Sequence, residues 1–207
     1  MALTAPSSRL LLSLLGMTLV VLVWSGTGPA DTLTWALEVL PVVIAIPLLL
    51  FSYKRFPLTT LLYVIIFIHG LILMLGGHYT YSQVPLGFYV QDLFDLSRNH
   101  YDRLGHIFQG ITPAILAREI LIRKTPLTSG GWLFLIATCI ALAFSAFYEM
   151  IEWWTALLYG GEADSFLATQ GDVWDTQWDM FMALLGAVTA QLLLSRIHDR
   201  QLKRFID

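Results

Sequence analysis

The sequence predicts an all-α membrane protein: a polytopic helical bundle of about six transmembrane helices, with both termini in the cytoplasm. Three observations predict it. Hydrophobic residues make up 57% of the 207 and charged residues only 13%, about half the charged share of a soluble domain, and the mean hydropathy is +0.68. Six stretches approach the roughly 20 apolar residues that a helix needs to cross the hydrocarbon core. Lys and Arg gather in alternate short loops, on one side of the membrane.

The spans are residues 10–25, 34–51, 58–77, 101–122, 132–159 and 173–194. None shows the alternation of a barrel strand, and only helices or closed barrels satisfy their backbones in lipid. Pro41 and Pro47 interrupt the second. Arg9, the apolar run after it and Gly28-Pro29-Ala30 also fit a cleaved leader; the expectation is a retained helix. The longest loop, His78–His100, has 23 residues and reads as a short amphipathic or re-entrant segment. No stretch suits a soluble domain, so residues 1–207 are expected to form one membrane domain.

Orientation follows from the basic residues. Arg9, Lys54, Arg55, Arg118, Arg123, Lys124, Arg196, Arg200, Lys203 and Arg204 share one side, ten of the 12. The other side has Arg98 and Arg103. The bias assigns the basic side to the cytoplasm, leaving residues 26–33, 78–100 and 160–172 outside. A net charge of −3 excludes a nucleic-acid binder that works by general basicity. A single cysteine, Cys139, excludes an internal disulfide framework and a cysteine-based zinc site.

The acidic residues carry the functional information. Of the 15, only Glu119, Asp199 and Asp207 fall on the basic side. Several of the others lie within spans, where a charge costs about 2.5 kcal/mol or more and normally faces a partner or a wet cavity. Asp172, Asp175 and Asp179 are spaced i, i+3, i+7 and project within an arc of about 60°. Glu149 and Glu152 form an i, i+3 pair, and Asp102 and His106 an i, i+4 pair with Gln109 one turn further. His78 closes the third span above them. Carboxylates crowded at one depth repel, and a cation removes the conflict.

Carboxylates with an imidazole, projecting inward from bundle helices, make a common metal-site design. This donor set suits zinc, manganese or iron better than thiolate-selecting metals. The expected ligands are His106, Glu149, Glu152, Asp175 and Asp179. His78 or Asp102 is the expected general acid or base, while Tyr79, Tyr101 and Arg103 would orient an anionic head group. Arg103 also stands as the expected neutraliser of the cluster. Blander roles are expected elsewhere. Asp172 suits a helix N-terminus, the alternative role for Asp175 as well, His69 a packed position in an apolar run, and His198 a solvated basic tail. Asp92, Asp95, Glu162 and Asp164 read as loop charges, and Tyr79, Tyr81, Tyr89, Trp153, Trp154 and Trp174 as an interfacial belt.

No H-E-x-x-H, G-x-S-x-G, P-loop or dinucleotide fingerprint is present. Four blocks carry a resemblance instead: Gly76-Gly77-His78-Tyr79-Thr80-Tyr81, Asn99-His100-Tyr101-Asp102-Arg103-Leu104-Gly105-His106, Phe147-Tyr148-Glu149-Met150-Ile151-Glu152-Trp153, and Gly171-Asp172-Val173-Trp174-Asp175-Thr176-Gln177-Trp178-Asp179-Met180. With them the chain resembles an uncharacterised family of bacterial multi-pass inner membrane proteins. The resemblance implies residence in the bacterial inner membrane and supplies neither an activity nor site residues.

The leading functional expectation is a metal-dependent hydrolase or transferase that acts on a membrane lipid or envelope precursor at the outer leaflet. A cation or proton-coupled carrier is the second reading, and a structural or accessory subunit the third. Lipid is the expected partner and nucleic acid is not; the substrate and the oligomeric state stay open.

Overall fold

The computed structural model describes residues 6–206, and Asp207 lies outside them. Helices α1 (Ser8–Ser25), α2 (Thr32–Ser52) and α3 (Thr60–Tyr79) come first, followed by a 3-10 turn at Tyr81–Gln83 and the short α4 (Pro85–Phe94). Then come α5 (Tyr101–Lys124), α6 (Gly131–Tyr159), a second 3-10 turn at Gly160–Ala163, α7 (Asp164–Leu167) and α8 (Asp175–Ile206). No strand occurs among the described residues. The protein is an all-α polytopic membrane protein.

Local chemistry sets the first helices. Ser7, Asp31 and Thr59 accept backbone N–H bonds as the N-caps of α1, α2 and α3, each satisfying a donor that the helix itself leaves free. Helix α2 continues through Pro41 and Pro47. Helix α4 occupies the long loop and leaves Tyr89, Leu93 and Phe94 exposed.

Five helices, α1, α2, α3, α6 and α8, are long and apolar enough to cross a membrane. They turn large side chains outward, among them Val20, Phe51, Trp132, Leu158 and Leu193. Helix α5 has the length, 24 residues, but is too polar to face lipid on every side. It is shielded instead: α8, α6 and α3 pack around it, and His106, Gln109, Arg118 and Glu119 are all buried.

Helices α5 and α8 run parallel. Their N-terminal ends meet where Arg98 pairs with Asp175, and their C-terminal ends where Arg118 pairs with Asp199. The first of these is the acidic end of the bundle and the second the basic end. Where α5, α6 and α8 converge, Ala114, Ala141 and Ala187 form a buried layer.

The structure corrects the expected end of the last span. Helix α8 does not stop near residue 194 but continues to Ile206. The basic tail is therefore helical, and one of its faces packs back on the bundle. His198, expected in solvent, is fully buried and lies 3.1 Å from Glu119.

Candidate metal centre

His106 organises the acidic end. It projects from α5 with both ring nitrogens facing carboxylates. Nε2 lies 3.5 Å from Asp102 Oδ1 and 3.9 Å from Asp179 Oδ1. Nδ1 lies 2.9 Å from Gln109 Oε1 and 3.8 Å from Glu149 Oε1. The i, i+4 spacing brings Asp102 to the ring and the i, i+3 spacing brings Gln109. Gln109 thus holds the ring at Nδ1 while Nε2 faces the Asp102 and Asp179 carboxyl groups, and a polar group fixing one ring nitrogen is the usual second-shell support of a ligating histidine.

Two overlapping groups have ligand atoms within 4.8 Å of one another: Asp102, His106 and Asp179, and His106, Glu149 and Glu152. Three helices contribute. Asp102 and His106 come from α5, Glu149 and Glu152 from α6, and Asp179 from α8. Asp179 is 2% exposed and Glu149 7%. Glu149 Oε1 and Asp179 Oδ1 are buried without a hydrogen-bond partner. A buried carboxylate oxygen without a donor is costly, and a cation between these groups would satisfy it. The donor set, carboxylates with one imidazole, fits zinc, manganese or iron.

The remaining expected site residues lie outside these two groups. Asp175 belongs to neither group. Its Oδ1 is 2.6 Å from Arg98 Nη2, which also reaches Asp172 at 3.3 Å. Arg103 lies 3.5 Å from Asp172 and stacks over Trp178 at 5.1 Å. The guanidinium closest to the acidic helix faces is thus Arg98, which sequence reasoning passed over. His78 turns away from His106: its ring packs on Trp24 at 4.4 Å, and Nδ1 is 3.0 Å from the Ser25 carbonyl oxygen. His69 lies against Phe108, ring to ring at 6.1 Å. Tyr101 donates its hydroxyl to the Ile72 carbonyl at 3.1 Å, a packing role.

One carboxylate was missed. Glu38 of α2 is 4% exposed. Tyr148 donates to its Oε2 at 3.3 Å. Its signal in the sequence was a lone acid within an apolar span.

His100, just outside the membrane span of α5, has its imidazole pKa held below the ordinary range. Partial burial is the larger cause, and the charges of Arg103 and Arg98 add to it.

A family of predicted membrane proteins, DUF2238, matches residues 10–200. The chain belongs to this family. The Inner membrane protein YjdF of Escherichia coli (strain K12) is 55% identical over 185 residues, covering 89% of this chain and 88% of the relative. No solved structure matches. The DUF2238 chain described here is therefore an integral inner membrane protein of an uncharacterised family. It carries a buried carboxylate and histidine cluster whose geometry could hold a metal.

Proposed function

We propose that this protein is a metal-dependent hydrolase or transferase acting on a lipid or envelope precursor from the acidic end of the bundle. One observation carries the reading: Glu149 Oε1 and Asp179 Oδ1, both buried and without partners, face the two nitrogens of a single imidazole. His106 Nε2, Asp179 and Asp102 would hold the ion, with Glu149 and Glu152 beside them. A divalent ion there supplies a polarised substrate oxygen and an activated water.

The protein's own groups do the rest. Gln109 holds the His106 ring at Nδ1, and Glu149 and Glu152, on that side of the ring, would be further ligands of the centre. Tyr148 orients Glu38 behind them. Side-chain exposure rises from the buried Asp179 to Asp102, Arg103 and Asp172, so the route to the centre runs past Arg103 and Trp178. Arg98 and Arg103 would steer an anionic head group there. His78 has no role in this scheme.

The test is chemical. Protein purified in mild detergent, loaded with zinc, manganese or iron, is incubated with a total inner-membrane lipid extract, and the lipid masses are followed. The expected result is a metal-dependent change in one lipid class that Asp179→Asn abolishes. No change with any of the three metals overturns the enzymatic reading.

A carrier is the second reading, and a specific observation favours it. Buried polar groups continue below the centre: Gln191 Nε2 lies 2.8 Å from Thr138 Oγ1, and Glu119 and His198 pair at the basic end. The buried layer of Ala114, Ala141 and Ala187 stands between the centre and those groups. Ion or proton flux in proteoliposomes, lost in Asp179→Asn, would favour the carrier.

A further inference from the structure

The centre holds more carboxyl groups than its single imidazole can pair. Asp102, Asp179, Glu149 and Glu152 surround one imidazole. Arg98 and Arg103 give this set no hydrogen bond or ion pair; both are engaged by Asp172 or Asp175. The carboxylates are also divided in space. Asp102 and Asp179 lie toward Nε2, while Glu149 lies toward Nδ1. The two nitrogens of an imidazole point in different directions, so one ion at the usual distance of about 2.0–2.1 Å from Nε2 cannot also sit at Nδ1. Each side of the ring has its own unpartnered carboxylate oxygen, Asp179 Oδ1 on one and Glu149 Oε1 on the other.

We propose that the centre takes two divalent cations, one on each nitrogen of His106: the first with Asp102 and Asp179, the second with Glu149 and Glu152. This rests on the metal reading above and extends it to a paired site. Four carboxylates then meet two dications, and both orphaned oxygens gain a partner. An ion on each nitrogen leaves the ring without its N–H proton, which passes to solvent, and the ion on the Nδ1 side displaces the Gln109 contact of 2.9 Å.

The probe is manganese. Full-length protein in detergent is titrated with Mn²⁺ at pH 8, bound metal is counted by elemental analysis after desalting, and the spectrum is recorded by electron paramagnetic resonance. Two Mn²⁺ per chain are expected, with a broadened, exchange-coupled spectrum in place of an isolated six-line signal. Glu152→Gln and Asp102→Asn should each bind one Mn²⁺ and restore the six-line signal. Matched melting curves in calcium-free, manganese-free buffer show that each variant is folded. One Mn²⁺ in the unmodified protein overturns the pair but leaves the single-metal reading standing, as do two ions with an isolated six-line spectrum. No bound Mn²⁺, zinc or iron overturns both.

Discussion

Gly110 of α5 lies directly on the backbone of Ala183 in α8: a Cβ at Gly110 would stand 1.8 Å from the Ala183 carbonyl oxygen. The approach is reciprocal, because a Cβ at Gly186 would stand 2.1 Å from the Ile107 carbonyl oxygen. Small residues at helix crossings in membranes let backbones approach this closely. Gly110 is one turn below His106, and Ala183 one turn below Asp179. The crossing thus sets the depth at which the imidazole meets the carboxylate. Gly110→Ala and Gly186→Ala should each lower the melting temperature, with overpacking costs of about 1–3 kcal/mol, and should reduce metal content. Gly16→Ala, where nothing lies within 4 Å of the new methyl, should change neither. Unaltered stability in both crossing variants would remove the crossing from the account of the site.

Metal removal is the second prediction. An ion that binds only the folded state adds RT ln(1 + [L]/Kd), about 2.7 kcal/mol at a hundredfold excess over Kd. A chelator should therefore lower the melting temperature of the purified protein. Glu149→Gln and Asp179→Asn should each reduce that sensitivity. A melting temperature unmoved by chelator in the unmodified protein would favour a proton-sharing polar network.

The basic end supplies the third. Glu119 is fully buried and accepts from the Thr59 N–H at 3.0 Å and the Thr59 hydroxyl at 2.8 Å. It also pairs with Arg123 at 2.7 Å and His198 at 3.1 Å. Arg123 is stacked between Phe56 at 3.6 Å and Phe205 at 4.1 Å. Glu119 thereby ties the start of α3 to the ends of α5 and α8. Removing one partner of a buried pair costs about 3–5 kcal/mol, so Glu119→Ala should destabilise the protein by that order. Metal stoichiometry should be kept, because the Ala114, Ala141 and Ala187 layer lies between this network and the centre. Lost metal with unchanged stability would contradict that separation.

His100 gives a pH dependence with a defined sign. Its folded pKa lies below the ordinary value of 6.5, so the folded state binds the proton less readily than the unfolded chain. Stability from neutral His100 is complete above that value and falls as pH drops through it. His100→Asn should flatten the fall in melting temperature between pH 7 and pH 5 relative to the unmodified protein. Parallel curves would assign the acid sensitivity elsewhere.

The legible part of the site was the part written in helical periodicity. Glu149 and Glu152 share a face at i, i+3, and Asp102, His106 and Gln109 meet because α5 is regular; both groups come together in the structure. Asp175 was read as a ligand because it shares a face with Asp179, but one turn of height places it beside Arg98 instead. Glu38 has no such companion in α2, so only tertiary packing, through Tyr148 of α6, brings it to the cluster. His198 was misplaced for a different reason. Its neighbours are charged, which resembles a solvated tail, and the continuing α8 turns it inward to a glutamate 79 positions earlier in the chain. Apolar periodicity also understates α5, whose polar residues are compatible with the membrane only because other helices surround them.

The last prediction concerns orientation. Ten of the 12 Lys and Arg lie in the loops and tail at one end of the bundle, and short loops rich in these residues stay in the cytoplasm. The structure adds a chemical consequence: the His106 centre lies at the opposite end, so the orientation decides which leaflet and compartment it serves. Labelling with a membrane-impermeant maleimide tests this. Cys139 is exposed, so it is first replaced by alanine. Single cysteines are then introduced by Asp92→Cys in α4 and Lys203→Cys in α8, both exposed positions at opposite ends. Asp92→Cys should react in intact spheroplasts, and Lys203→Cys only after permeabilisation. The reverse pattern would turn the centre toward the cytoplasm and exclude a precursor presented at the outer leaflet, while leaving the metal geometry untouched.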